Sequence, residues 1–91
     1  MPATAAKPKY TLGAWGRKLV SGDLEYLAPV YNGDTHHATY WVTVDTVGVA
    51  GDRVDLWRVR VTTHNGEQVE SKLKETATLA KGWAERWVEA L

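Results

Sequence analysis

Short runs rich in Val, Thr, Tyr and Trp alternate along this chain with turns that contain glycine. The turns fall at Ser21-Gly22-Asp23, Asn32-Gly33-Asp34, Ala50-Gly51-Asp52 and His64-Asn65-Gly66. Runs of this kind, separated by such turns, pair as consecutive antiparallel hairpins. The pattern predicts strands near Thr11–Val20, Leu24–Tyr31, Ala38–Val49, Val54–Thr63 and Gln68–Lys74. Pro29 has no N–H to give a ladder, so its strand is expected at an edge or with a bulge.

Alternation within the runs sets their register. A two-residue Gly51-Asp52 turn places Asp45 opposite Arg58 and Val47 opposite Leu56. Tyr40, Val42, Val44, Trp57, Val59 and Val61 then share one face. Trp41, Thr43, Asp45, Val47, Leu56, Arg58, Arg60 and Thr62 share the other. A slip by one residue would mix apolar and polar sets, so this register is strongly specified. At the next turn, a three-residue His64-Asn65-Gly66 loop with Gly66 at positive φ keeps Val69, Ser71 and Leu73 on the face of Val59 and Val61.

After Lys74 the apolar period changes from two to 3.6. At 100° per residue, Leu79, Ala80, Trp83, Ala84, Trp87, Val88, Ala90 and Leu91 fill one half of a helical wheel over Thr78–Leu91. Lys81, Gly82, Glu85, Arg86 and Glu89 fill the other half, and Lys81 and Glu85 are spaced as an i,i+4 pair. Thr78 or Thr76 is expected to cap its N-terminus. A helix of about four turns is marginal alone, so it must lie on the sheet, with Trp83 and Trp87 against Trp57 and Val59. The expected fold is α+β: an antiparallel β-meander of four to five strands packed on one C-terminal amphipathic helix.

Length adds a boundary to this picture. The chain has 91 residues, enough for one domain and too few for two. Residues 1–9 read as a short disordered arm and residues 10–91 as a single domain. The start lacks the apolar run of a secretory signal, and no stretch approaches the ~20 apolar residues of a membrane span. A cytoplasmic protein with no membrane partner is expected. Five Trp and four Tyr, with no Phe, imply a core filled largely by aromatic rings. Eleven basic and eleven acidic residues cancel, which argues against a dedicated duplex-DNA binder. With no Cys, disulfides and thiolate metal sites are excluded.

Few side chains suggest chemistry. Trp41, Arg58 and Arg60, flanked by Thr43 and Thr62, would share the sheet face turned away from the helix. An aromatic ring beside guanidinium groups can stack a base and hold a phosphate, although Asp45 and Glu70 offer these arginines partners within the fold. His36 and His37 point to opposite sides of an extended segment and do not readily share a metal. Asp52, Asp55, Glu67 and Glu70 sit at hairpin ends, where carboxylates normally solubilise. Gly13-Ala14-Trp15-Gly16 lacks the Lys-Ser/Thr of a phosphate loop. No catalytic residue, metal ligand or cofactor is therefore expected. Self-association has its own candidates. Trp87, Val88 and Leu91 widen the helix's apolar arc beyond what one small sheet needs, and Tyr26 and Tyr31 enrich the second strand. These five are the expected protein-contact residues, and a homodimer is one form such a contact takes.

The segment from Ala38 to Leu91 also has a recognisable shape. A hairpin on Leu56-Trp57-Arg58-Val59-Arg60-Val61 leads through an Asn-Gly turn and a short polar strand to the helix Thr78-Leu79-Ala80-Lys81-Gly82-Trp83-Ala84-Glu85. This resembles the meander-plus-helix ending of small orphan proteins of actinobacterial phages. The resemblance implies a non-enzymatic accessory protein that modulates a host protein through a protein surface, in the host cytoplasm. The strand order and final helix also resemble whirly-type single-strand-binding folds, which implies single-stranded nucleic acid as the alternative ligand.

Overall fold

The computed structural model describes residues 9–20, 22–33, 36–48 and 55–91. Residues 1–8, most of the expected arm, lie outside them, as does the Gly51-Asp52 turn. Six strands form one antiparallel sheet: β1 (Tyr10–Leu12), β2 (Gly16–Val20), β3 (Asp23–Asn32), β4 (Ala38–Gly48), β5 (Asp55–Thr63) and β6 (Gln68–Lys74). A single helix, α1 (Ala77–Glu89), follows. The fold is α+β as expected: the sheet curls into a half-barrel and the helix packs on it. The order is β1-β3-β4-β5-β6, with β2 also paired to β3.

The predicted first strand is broken in two. β1 pairs with the end of β3, Leu12 opposite Val30, whereas β2 pairs with its beginning, Gly16 opposite Leu27. Gly13, Ala14 and Trp15 thus face only Ala28 and Pro29. The cause is local chemistry at Pro29. Its carbonyl accepts from the Gly13 N–H at 2.7 Å, so its ring nitrogen, with no hydrogen to return, points to the same side. The ladder is interrupted where a donor is missing. β3 is therefore not an edge strand; the chain opposite Pro29 takes up one extra residue, and the expected irregularity also appears in the β3–β4 pair, whose register shifts between Val30 and Tyr31. Gly13 fits because it has no side chain: a Cβ there would stand 2.7 Å from Pro29 Cγ. The extra residue also turns Trp15 inward, where it packs against the core.

β4 and β5 pair as the alternation predicts, with Asp45 opposite Arg58 and Val47 opposite Leu56. The β5–β6 pair departs from expectation. The three-residue loop is present: Thr63 N–H donates to Glu67 O, Gly66 N–H donates to Thr63 O, and Gly66 has φ +85°. One step later the register shifts again, leaving Val69 unpaired, so that Val61 faces Glu70, Val59 faces Lys72 and Arg58 faces Leu73. Glu70, Lys72 and Lys74 thus share the helix side of the sheet, while Ser71 and Leu73 join the arginines outside. A bulge of one residue reverses every side chain beyond it.

Val30, Val42, Val44, Val59 and Val61 are fully buried beneath the helix, each worth roughly 1.5–3 kcal/mol relative to exposure. The helix begins at Thr76, whose extended backbone and side-chain oxygen cap it by accepting from Leu79 N–H at 3.1 Å. Its buried line is Ala80, Ala84 and Val88, so the packed arc is rotated from the expected one and Leu79 is left 50% exposed. Small side chains along that line let helix and sheet backbones approach. Bulky Trp83, Trp87 and Leu91 flank the contact. Trp87 meets Tyr40 edge-on, with ring centroids 5.3 Å apart, and Trp57 packs on Tyr26 at 6.0 Å. The expected contact of Trp87 with Trp57 is thus replaced by two separate aromatic pairs. Lys81 is not spent on Glu85; its Nζ lies 3.6 Å from the Tyr26 ring centroid, a cation–π contact of about 0.5–2 kcal/mol.

Candidate functional site: the outer sheet face

Alternation that buries the valines places the intervening residues on the opposite face, which no described element covers. Trp41, Thr43, Arg58, Arg60 and Thr62 lie there together, as the register predicts. Trp41 is 36% exposed, held in position by pairing with Pro29 on one side and Thr62 on the other. Leu73, next to Arg58, is 55% exposed.

At the centre of this face two arginines share one carboxylate, so the cluster keeps a net positive charge, and Arg60 Nε is buried without a hydrogen-bond partner among the described residues. Arg58 donates through Nη2 to Asp45 Oδ2 at 2.7 Å and through Nε to Oδ1 at 3.3 Å, a bidentate pair. Arg60 Nη2 reaches the same Oδ2 at 3.7 Å. The hydrogen bond it donates to Asp45 holds the Arg58 guanidinium even more firmly in its charged form; burial opposes this and the carboxylate's charge supports it. One carboxylate thus engages both arginines that sequence reasoning had nominated for phosphate. Glu70, the other expected partner, is on the helix side. On β2 and β3, Lys18 and Glu25 stand directly across from one another, 3.9 Å apart.

Two open grooves meet at Trp41. One, of about 620 Å³, is lined by Asn32, His37, Ala38, Thr39, Trp41 and His64. The other, of about 360 Å³, runs from Trp41 past Pro29 and Leu27 to Arg17 and Lys18. His37, expected on an extended segment, and His64, in the turn after β5, are far apart in the chain. Their shared groove follows from the β4–β5 register, which sets Tyr40 opposite Thr63. Arg17 and Lys18 were missed altogether, because their approach to Trp41 depends on the broken first strand. Arg17 forms no ion pair among the described residues. His36 and His37 are both exposed, and no three His, Asp or Glu gather as a metal site among the described residues. Asp34 and Asp52 lie outside those residues.

The residues expected to meet a partner on the helix side are placed differently. Val88 is buried against the sheet at 5% exposure, so it offers a partner no surface. Trp87 and Leu91 are half-buried and packed on the core, and Tyr26 lies beneath Lys81. Tyr31 is half-buried on the outer face, beside Gly13. No helix among the described residues is long and apolar enough to cross a membrane. No protein-family model, curated protein or solved structure matches this chain.

Proposed function

We propose that this domain is a small non-enzymatic binding protein that engages a protein partner through its outer sheet face. The observation that carries this reading is the makeup of that face. Large apolar side chains, Trp41 and Leu73, stand exposed beside two arginines that Asp45 holds in place and only partly neutralises. An aromatic anchor beside arginines oriented within the fold suits a protein contact, where Trp and Arg are both frequent hot spots. An accessory role in an actinobacterial phage, modulating a host protein, is compatible with such a surface.

The test is affinity capture from cells that naturally express the protein, comparing the native chain with the variant Trp41→Glu/Leu73→Glu. The reading expects a protein retained in stoichiometric amount by the native chain and lost with the variant. Equal retention by both would contradict it.

The groove between Trp41 and Arg17 favours a second reading, single-stranded nucleic acid. There Trp41 would stack a base while Arg17 and Lys18, rather than Arg58 and Arg60, hold phosphate. Oligonucleotide binding that quenches tryptophan fluorescence, weakens steeply with salt and disappears in Arg17→Ala would replace the first reading with this one.

A further inference from the structure

β6 forms one margin of the sheet. Among the described residues it pairs only with β5, and the directions of its backbone groups follow from the loop before it. Thr63 N–H donates across to Glu67 O, so Thr63 directs its backbone groups toward β6. In an antiparallel ladder this alternates, so Val61 and Val59 also point at β6, at Glu70 and Lys72 opposite them. Ser71 and Leu73 must then aim their N–H and C=O groups at the open edge. An unpaired row of this kind is a template for another strand.

The residues on this edge specify which strand. We infer that β6 pairs with β6 of a second copy of this chain, antiparallel, about a two-fold axis at Ser71. In that register Glu70 stands opposite the partner's Lys72, and by symmetry Lys72 stands opposite the partner's Glu70. Leu73 comes opposite the partner's Val69, the unpaired residue of the bulge, so the choice of register rests on the charged pairs. The two Ser71 residues exchange backbone hydrogen bonds at the axis. Neighbouring symmetric registers are worse. Centring on Lys72 opposes two ammonium groups, centring on Glu70 opposes two carboxylates, and centring on Leu73 sets Lys72 against the partner's Lys74. Like charges directly across a ladder destabilise it and opposite charges support it, so the charge order Glu70-Ser71-Lys72 selects one register. The lysines that would repel an arbitrary strand thus leave one self-complementary solution, the isologous contact of a two-fold dimer.

The dimer would join two sheets into one and place both outer faces, with both copies of Trp41 and Leu73, on the same side. This inference rests on the β6 edge and is independent of the ligand of the outer face. It relocates self-association from the end of the helix to the edge of the sheet.

Sedimentation velocity over a range of protein concentrations tests it, with circular dichroism to confirm that each variant folds. The native chain is expected to reach a dimer of twice its 10.1 kDa mass. Glu70→Lys alone and Lys72→Glu alone each oppose like charges at two symmetric positions and should raise the dissociation constant about tenfold. The double variant Glu70→Lys/Lys72→Glu restores opposite charges and should dimerise like the native chain. Ser71→Pro removes an N–H that faces the open edge, which a lone edge strand tolerates, and should yield a folded monomer. A native chain that stays monomeric at every concentration would overturn the proposal. So would dimers indifferent to the single reversals, or a double variant no better than either single one.

Discussion

The two faces of the β4–β5 hairpin are one residue out of phase and physically opposite. On one, Val42, Val44, Val59 and Val61 are fully buried beneath α1. On the other, Trp41, Thr43, Asp45, Arg58 and Arg60 face outward with no element laid over them. Both faces contain large apolar groups, yet only the inner one has them covered. The comparison shows that the aromatic residues of this chain divide into two kinds. Trp87 and Trp57 are paired with Tyr40 and Tyr26 and hold the helix in place. Trp41 has no ring partner within the described residues and lies on the face proposed above for a partner.

The contrast can be strained first from the inside. Trp87→Ala removes the edge-on partner of Tyr40 and leaves a gap beside Val88, and is expected to cost about 3 kcal/mol, read as a lower urea midpoint with an unchanged slope. A loss no larger than that of a surface substitution would show that the helix side is not the core. Gly13→Ala probes the junction of the two halves of the sheet. Its Cβ would press on Pro29 Cγ from 2.7 Å, so overpacking should cost about 2 kcal/mol. A protein as stable as the native one would show that the break opposite Pro29 is slack rather than close-packed.

These elements were unequally legible in the sequence. The β4–β5 register could be read because both strands alternate strongly and a slip would bury Asp45 and Arg58. From that register followed the common face of Trp41, Arg58 and Arg60, and their pairing with Asp45. The reversal of β6 could not be read, because the bulge at Val69 adds one residue without a glycine or proline to mark it. Pro29 did announce an irregularity, but not that the strand opposite would absorb it. The helix was recognisable as amphipathic, while its exact facing was not. Hydrophobic periodicity weighs Leu79 as heavily as Ala80, whereas close approach of helix to sheet selects the small side chains Ala80 and Ala84. Arg17 and Lys18 reach the neighbourhood of Trp41 only through the β2–β3 pairing, a non-local consequence that no spacing in the chain reveals.

The division between a packed face and a free one is tested most directly by the unfolding free energy of the outer-face variant Trp41→Ser/Leu73→Ser, measured by urea denaturation. Leu73, more than half exposed, should change stability by no more than about 0.5 kcal/mol, and Trp41, partly covered by its neighbours, by about 1 kcal/mol, so the predicted total stays below about 2 kcal/mol. A loss of about 3 kcal/mol or more, the scale expected for a buried tryptophan, would mean that the outer face is packed in the native state and would contradict the account.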